Sequence, residues 1–257
     1  MGILNVTPDS FSDGGKYFKP DFAIQQVKKM LAEGADIIDI GGESTRPGAK
    51  DVSVDDELAR VLPVIKAIRE FSDCLISIDT SKAIVMREAV LAGANIINDV
   101  RALQEEQALE IVAELQVPVC LMHMQGQPRS MQTQPVYNDV VSEVKDFLQQ
   151  RIKACEKAGV NKENIIIDPG FGFGKTLEHN LTLFKALDEF VEMDCPVLVG
   201  VSRKSMIGQI LDDAPVEERI HASVVMAALA VQRGVELIRV HDVKATVDSI
   251  AVINSLK

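Results

Sequence analysis

A chain of 257 residues is long enough to bury one large α/β core and is short for two ordinary domains. Its 38 acidic and 27 basic residues leave a net charge of -11, which argues against a nucleic-acid partner. The absence of a secretory signal and of any apolar run of about 18 residues argues against a membrane protein, and four separated cysteines predict reduced thiols in the cytoplasm.

Eight apolar runs follow one another along the chain, and each is suited to a buried strand. They cover residues 2–6, 36–40, 75–79, 95–100, 117–124, 165–168, 197–202 and 237–241. Amphipathic stretches with helical spacing alternate with them, near residues 22–31, 58–68, 82–92, 105–115, 139–158, 178–191, 216–233 and 243–255. A strand followed by a helix, repeated eight times, is the pattern of a (β/α)₈ barrel.

An open, doubly wound sheet is the alternative architecture, because its parallel strands are equally apolar. The eight repeats, the length and the lack of a dinucleotide-binding glycine pattern after residues 2–6 favour the barrel. We therefore expect an α/β fold, a TIM barrel, with residues 1–257 forming a single domain. Because the chain begins almost inside the first strand, we expect the segment that caps the floor of the barrel to be shortened.

Two predicted connections are longer than the roughly 2 to 6 residues usual in α/β units. They span residues 7–20 and 42–54, and they carry the charged side chains Asp13 and Arg46. Their glycines and prolines are typical of lids that close on a substrate, although an exposed surface excursion would show the same composition.

Polar side chains stand where the predicted strands end. In a parallel barrel these carboxyl ends share one face, which is where active sites lie. We therefore expect one site built from Asn5, Asp39, Glu43, Asp79, Asn98, Asp99, His123, Asp168, Ser202, Arg203, Lys204, Arg239 and His241.

Several of these residues also have an ordinary structural explanation. Asp79 could cap the next helix, but Thr80 or Ser81 could do so instead, which favours a functional Asp79. Asn98 must find a partner inside an apolar strand, and the sequence leaves a structural bond and a ligand contact equally open. Arg239 and His241 share a face if the strand extends that far, and such a pair is suited to an anion.

The stretch at residues 168–175, DPGFGFGK, follows three branched aliphatic residues and ends the sixth predicted strand. Its Gly-Lys-Thr continuation resembles a P-loop, but that motif requires glycine where Pro169 stands. Asp168 could instead accept hydrogen bonds from the N–H groups of a polar ring system, while Gly172 would let a flat ligand approach.

Seven motifs in this order closely resemble those of the dihydropteroate synthase family of pterin-binding enzymes. They are GILNVTPDSFSDGG, GGESTRPG, SIDTSK, NDV, DPGFGFGK, VGVSRKS and RVHDV, and the resemblance extends from Gly2 to the end of the chain. It implies a homodimeric transferase of folate biosynthesis, from a family that is the target of sulfonamides. Such an enzyme joins 6-hydroxymethyl-7,8-dihydropterin diphosphate to 4-aminobenzoate with Mg²⁺, giving 7,8-dihydropteroate and diphosphate.

The resemblance also implies roles for individual residues. The pterin would lie against Asp79, Asn98, Val100, Met122, Asp168, Phe173, Gly200, Lys204 and Arg239. Asn5, Thr45, Arg46, Arg239 and His241 would hold the diphosphate, with Asn5 as the protein ligand of Mg²⁺. The 4-aminobenzoate would contact Phe11, Asp13, Thr45, Pro47, Ser202 and Lys204. Catalysis by dissociative substitution at the pterin methylene would use Asp79, Asp168, Lys204, Arg46, Arg239 and His241.

Two other functions fit parts of the pattern. A methyltetrahydrofolate-binding methyltransferase domain would share the pterin pocket, but it would have less use for the phosphate-handling residues Arg46, Arg239 and His241. A pterin-binding module without catalysis is the second alternative. The predicted helix at 216–233 is apolar around most of its circumference, which predicts a homodimer contact unless a neighbouring loop covers it.

Overall fold

The structure is a computed structural model that describes residues 1–7, 20–44, 51–126, 131 and 135–256. These residues contain eight strands, and every one of them lies within a predicted apolar run or differs from it by a single residue. The strands are β1 (Gly2–Asn5), β2 (Ile37–Gly41), β3 (Leu75–Asp79), β4 (Ile96–Asp99), β5 (Val119–Met122), β6 (Ile165–Asp168), β7 (Leu198–Val199) and β8 (Leu237–Ile238).

The strands form a closed ring of parallel neighbours. β1 to β6 pair in chain order, and β7 pairs with β8. Two isolated parallel bridges complete the circle, Ile167 with Val197 and Gly2 with Val240. At the second bridge, the Ile3 amide donates to the Val240 carbonyl over 3.0 Å. The barrel prediction is therefore confirmed, and the open doubly wound sheet is wrong.

Helices follow the strands and form the outer layer of the barrel. They are α1 (Pro20–Ala32), α2 (Val54–Arg69), α3 (Ala83–Leu91), α4 (Ala108–Leu115), α5 (Val140–Ala158), α6 (Leu177–Lys185), α7 (Leu187–Val191), α8 (Ser205–Ile210), α9 (Ile220–Gln232) and α10 (Val243–Ser255). The helix predicted at 178–191 is two helices, because the backbone leaves helical geometry at Ala186. The sequence did not predict α8, whose six residues are too few to show an apolar period.

Alternating residues along each strand build two separate apolar layers. Side chains such as Ile38, Ile76 and Ile97 belong to the large layer between barrel and helices. A smaller cluster of Ile96, Cys120, Ile166 and Leu198 is separate from it and belongs to the opposite face of the strands, inside the barrel. Because both faces of the strands are buried, the strands are apolar throughout instead of alternating.

The structure describes the state of the cysteines and the lengths of the helices. All four cysteines are free thiols, with Cys120, Cys155 and Cys195 buried and Cys74 half-buried. Within the described ranges, no helix is both long enough and apolar enough to cross a membrane.

One arginine holds together the end of the barrel opposite the strand carboxyl ends. Arg69, the last residue of α2, donates to the carbonyls of Ser72 (3.1 Å), Cys74 (2.7 Å) and Gly93 (2.8 Å). Its guanidinium also donates to the side chain of Asn95 over 2.6 Å. This one side chain therefore joins the connections that enter β3 and β4.

We predict that Arg69→Met lowers the free energy of unfolding by about 2 to 4 kcal/mol, because several carbonyls lose a charged donor. Denaturant unfolding measures the loss, and Arg87→Met is the matched control. Arg87 pairs with the exposed Glu114, so its replacement should change stability little. Equal stability of the two variants would contradict this role of Arg69.

Candidate active site

The strand register brings the predicted polar residues to one level at the carboxyl end of the barrel. Asn5 lies beside Gly41, Gly41 beside Asp79, and Asp79 beside Asn98. On the other side of the ring, Asp168 lies beside Met122. These side chains all belong to the inner face of their strands, so they surround one space at the top of the barrel interior.

A buried ion-pair network occupies the centre of this space. The Arg239 guanidinium contacts Asp39 through Nε at 2.6 Å and Asp79 through Nη2 at 2.8 Å. Burial acts against the Arg239 charge, but Asp39 and Asp79 raise the pKa of Arg239 above its ordinary value. Burial also raises the pKa of Asp79 to about 7, with Arg239 acting in the opposite direction. A single cation is thus shared by two carboxylates.

Asp79 is not a helix cap, and neither are the two residues that could have replaced it. Helix α3 begins after Lys82 without any side-chain cap. The Thr80 hydroxyl accepts from the Lys82 amide at 3.2 Å, and the Ser81 hydroxyl donates to Asp99. Neither of the alternative caps that the sequence offered, Thr80 and Ser81, is therefore formed, and Asp79 pairs with Arg239.

The neighbours Asn98 and Asp99 have different surroundings. The Asn98 amide lies 3.4 and 3.5 Å from the two Asp39 oxygens, which is long for a hydrogen bond. Asp99 accepts from the Arg101 amide at 2.9 Å and the Leu103 amide at 2.7 Å, so it shapes the turn after β4. Asn98 thus faces the site, whereas Asp99 is structural.

The glycine-rich stretch after β6 folds back on the Asp168 carboxylate. The Gly170 amide donates to Asp168 Oδ1 over 2.7 Å. Gly170 has φ +71°, and a Cβ atom there would lie 1.8 Å from the His123 carbonyl oxygen, so only glycine fits. Gly172 has φ +78°, but the Lys204 side chain already takes the space beside it, because a Cβ atom on Gly172 would lie 3.2 Å from Lys204 Cδ. That Gly172 lets a flat ligand approach stays a prediction.

Lys204 enters the site from the connection after β7. Its ammonium group donates to the Phe171 carbonyl and lies 4.5 Å from the centroid of the Phe173 ring. Burial lowers the pKa of Lys204 to about 8, and Asp168 acts in the opposite direction. Burial raises the pKa of Asp168, while Lys204 lowers it. Lys204 and Asp168 therefore form an electrostatic pair against the glycine-rich stretch.

Ser202 and His241 meet at the rim of the barrel. The Ser202 hydroxyl lies 3.1 Å from His241 Nδ1, and it also accepts from the His241 amide at 3.1 Å. Strand β8 ends at Ile238, although the bridge at Val240 continues the pairing. Arg239 is paired inside the barrel, while the His241 side chain is exposed at the rim.

The remaining predicted walls surround the same space. Val100 and Met122 are buried, and a Cβ atom on Gly200 would lie 3.7 Å from the Arg239 Cβ. Val100 and Met122 also line a cavity of about 150 Å³ with Met124 and Phe147. The predicted residues Phe11, Asp13, Thr45, Arg46 and Pro47 lie outside the described part of the chain.

Sequence reasoning assigned no role to three contacts that shape the site. Asp39 was one of many strand-end residues, and its partner Arg239 is 200 positions away. Lys175 belongs to the DPGFGFGK motif and to the rejected P-loop pattern, but neither gave it a role. Glu43 accepts from the Val52 amide at 3.1 Å and from Lys82, so it joins the two ends of the predicted second lid. Its place after β2 was the signal that could have suggested such a role.

Comparison with known proteins identifies the family. Residues 1–241 match the family model described as pterin binding enzyme. The chain belongs to the pterin-binding enzyme family. It is 58% identical to the dihydropteroate synthase of Haemophilus influenzae over 252 residues, which are 98% of this chain and 91% of that protein.

Solved structures of relatives have the same fold. The Yersinia pestis dihydropteroate synthase with a sulfonamide drug complex has a TM-score of 0.95 and 51% identity, covering 99% of this chain and 92% of that one. The Xanthomonas albilineans dihydropteroate synthase with 4-aminobenzoic acid has a TM-score of 0.94 and 50% identity, covering 99% and 91%.

We predict that Gly170→Ala destroys the pterin pocket, because its Cβ would overlap the His123 carbonyl and displace the donor to Asp168. Gly159→Ala is the matched control: Gly159 has φ +99°, yet nothing lies within 4 Å of its Cβ position. Calorimetric titration with a pterin and thermal unfolding compare the variants. Equal pterin affinity of the two variants would contradict the assignment.

Proposed function

We propose that the protein acts as a dihydropteroate synthase. It condenses 6-hydroxymethyl-7,8-dihydropterin diphosphate with 4-aminobenzoate to give 7,8-dihydropteroate and diphosphate. The observation that carries this proposal is the convergence of Asp79, Asn98, Asp168, Lys204 and Arg239 at the carboxyl end of one barrel. Its relatives at 50 to 58% identity, which match nearly the whole chain, are dihydropteroate synthases.

The chemistry of the five side chains suits a pterin. The amino-pyrimidinone edge of a pterin presents N–H donors, which the carboxylates of Asp79 and Asp168 can accept. The Asn98 amide can pair with the same edge, and the Lys204 ammonium can donate to the pterin carbonyl or a ring nitrogen. Val100, Met122, Phe173 and Gly200 would form the walls. Because these groups are buried, a ligand that leaves one of them without a hydrogen bond would bind more weakly than a pterin.

The diphosphate would lie above the pterin site. Arg239 uses Nε and Nη2 for Asp39 and Asp79, and its Nη1 donates to none of the residues that the structure describes. We assign Nη1 to the diphosphate, together with His241 at the rim. Thr45 and Arg46 would complete this anion site from the second predicted lid.

Mg²⁺ is the proposed cofactor, with Asn5 as its protein ligand. A Cβ atom on Gly41 would lie 3.6 Å from Asn5 Oδ1 and 3.7 Å from Asp79 Oδ2, so the missing side chain leaves room beside these oxygens. A site with one amide oxygen fits Mg²⁺, which keeps several waters and takes phosphate oxygens as ligands. When bound, the ion would neutralise charge on the diphosphate.

The proposed mechanism is dissociative substitution at the exocyclic methylene of the pterin. The bond to the diphosphate oxygen breaks first, and the electron-rich dihydropterin spreads the positive charge that develops. Asp79 or Asp168 would stabilise this cation, while Arg239, His241 and Arg46 stabilise the departing diphosphate. The arylamine then attacks the methylene, so no protein nucleophile is needed.

The 4-aminobenzoate site is proposed to form last. Phe11 and Asp13 would come from the first lid, Thr45 and Pro47 from the second. Ser202 and Lys204 would complete it from the connection after β7. Both lids have little to close on until diphosphate and Mg²⁺ are bound, so we expect ordered binding. Tight binding of 4-aminobenzoate without diphosphate would contradict this order.

The methyltransferase alternative lacks support from the relatives, which are synthases. Phosphate handling also favours the synthase, because a methyl carrier has less use for Arg46, Arg239 and His241. An assay with both substrates tests the non-catalytic alternative, a pterin-binding module.

We further propose a homodimer through α9. The helix packs against α10 on one side, while Val225 is 57% and Leu229 is 44% exposed. Val252 on α10 is also 59% exposed, so the two helices together present apolar side chains to solvent.

We also propose a cytoplasmic location, which the free thiols support. Residues 1–257 are proposed to form a single domain.

We predict that diphosphate is released from the pterin diphosphate in the presence of Mg²⁺, and that its release accompanies dihydropteroate formation when 4-aminobenzoate is added. Slow release without 4-aminobenzoate would support the dissociative mechanism. The kinetics of diphosphate release and chromatography of the pterin product measure diphosphate and dihydropteroate formation. No release by folded protein in either condition would contradict the synthase function.

We also predict that Asp168→Ala and Lys204→Ala weaken pterin binding, whereas Arg46→Ala mainly lowers turnover. The loss of a buried charged partner is expected to cost on the order of tenfold or more in affinity. Steady-state kinetics with both substrates separate the two effects. Lys162→Ala is the control, because its ammonium lies 3.9 Å from the exposed Asp194, far from the site. Unchanged kinetics of Asp168→Ala would refute the assignment of Asp168.

A further inference from the structure

Lys175 is a buried lysine that the proposed reaction does not use. Only 3% of the residue is exposed. Its ammonium group lies 2.9 Å from the Gly170 carbonyl, 3.1 Å from the Phe173 carbonyl and 2.9 Å from His123 Nδ1. The His123 carbonyl is a fourth, longer neighbour at 3.4 Å. The lysine is therefore surrounded by hydrogen-bond acceptors rather than by a carboxylate.

The protonation states around Lys175 follow from these contacts. An ammonium group only donates, so His123 Nδ1 must accept and the ring proton must be on Nε2. Burial lowers the pKa of His123 to about 2, and Lys175 adds to this effect, so His123 is neutral. Burial lowers the pKa of Lys175 to about 7, with Asp168 acting in the opposite direction. The lysine charge is thus supported by Asp168 and by oriented carbonyl groups.

The two carbonyls that Lys175 binds belong to residues that contact the pterin site. The Gly170 amide donates to Asp168 Oδ1 at 2.7 Å, so the same residue touches Lys175 on one side and Asp168 on the other. The Phe173 ring lies 4.5 Å from the Lys204 ammonium, while its carbonyl accepts from Lys175. A change at Lys175 would therefore reach both Asp168 and Lys204.

We propose that Lys175 is a positioning residue for pterin binding, which fixes the backbone of Gly170 and Phe173 and so directs Asp168 and Lys204 towards the pterin. This inference rests on the proposed function, because it concerns the same pocket. Lys175 does not touch the pterin in this proposal. It acts through the backbone and through its charge.

The charge provides a test that a purely structural anchor would not pass. The charged groups facing Asp168 are Lys175 on its own connection, Lys204 after β7 and Arg239 after β8, and the Cys120 thiol on β5 also faces it. All three cations lower the pKa of Asp168. Without Lys175 this pKa must rise, so Asp168 takes up a proton at a higher pH and pterin affinity begins to fall at a higher pH.

Three variants separate the two contributions. Lys175→Met removes both the donors and the charge, whereas Lys175→Gln removes the charge but keeps two N–H donors on a slightly shorter side chain. Tyr137→Phe removes a different anchor of the same stretch, the hydroxyl that donates to the Gly174 carbonyl at 2.9 Å, and leaves the Lys175 charge in place. Lys162→Met is the control for the same substitution at a half-exposed lysine.

The experiment is calorimetric titration of each variant with 6-hydroxymethylpterin between acidic and neutral pH, together with steady-state kinetics. We expect Lys175→Met to bind the pterin on the order of tenfold more weakly, and Lys175→Gln to lose less. The acid limb of pterin binding is the pH range in which pterin affinity falls as the pH is lowered. It should move to higher pH in both Lys175 variants and stay unchanged in Tyr137→Phe and Lys162→Met.

Wild-type affinity and an unmoved acid limb in both Lys175 variants would overturn the inference. So would a loss of affinity in Tyr137→Phe equal to that in Lys175→Met with no shift of the acid limb, because Lys175 would then be only one structural anchor among others. If Lys175→Met does not fold, Lys175→Gln carries the test, and failure of both to fold would also overturn it. Absence of pterin binding by the unmodified protein would contradict the proposed function instead.

Discussion

The sharing of Arg239 between Asp39 and Asp79 is the interaction on which the site depends. These residues lie on β8, β2 and β3 or at their ends, so the network spans the closure of the barrel. Removal of one member of a buried ion pair leaves an uncompensated charge. Because two carboxylates share one guanidinium, carboxylate oxygens lie at the centre of the barrel, where they would stabilise the cation that the proposed mechanism develops at the pterin methylene.

The stretch after β6 supplies the second half of the site through backbone geometry rather than through charge. Gly170 can adopt φ +71° and pass the His123 carbonyl only because it has no side chain. This close passage turns its amide towards Asp168. The Lys204 chain then fills the space beside Gly172, so backbone shape and side-chain position depend on each other.

The strands and the face that carries the site could be predicted from sequence, because apolar runs and strand ends are local patterns. The partners within the site could not. Asp39 meets Arg239 only when the barrel closes, and nothing near either residue reveals the pair. Neither Thr80 nor Ser81, which the sequence offered as possible caps, caps α3. The Ser81 hydroxyl instead donates to Asp99 on the neighbouring strand. The sequence did not predict α8, because a helix of six residues is too short to show a period of apolar side chains.

In the proposed function, the site has a part that the structure describes and a part that the two predicted lids would complete, and this division fits the chemistry. The strand ends and the glycine-rich stretch would hold the pterin among buried partners, where reorganisation during the reaction is small. The Glu43 carboxylate accepts from the Val52 amide and from Lys82, so it joins the two ends of the predicted second lid. The second substrate is an arylamine, which needs no base in the proposed mechanism, so its site would require placement rather than a precisely tuned acid or base. The predicted second lid would provide that placement, while the buried groups at the strand ends would stabilise the cation.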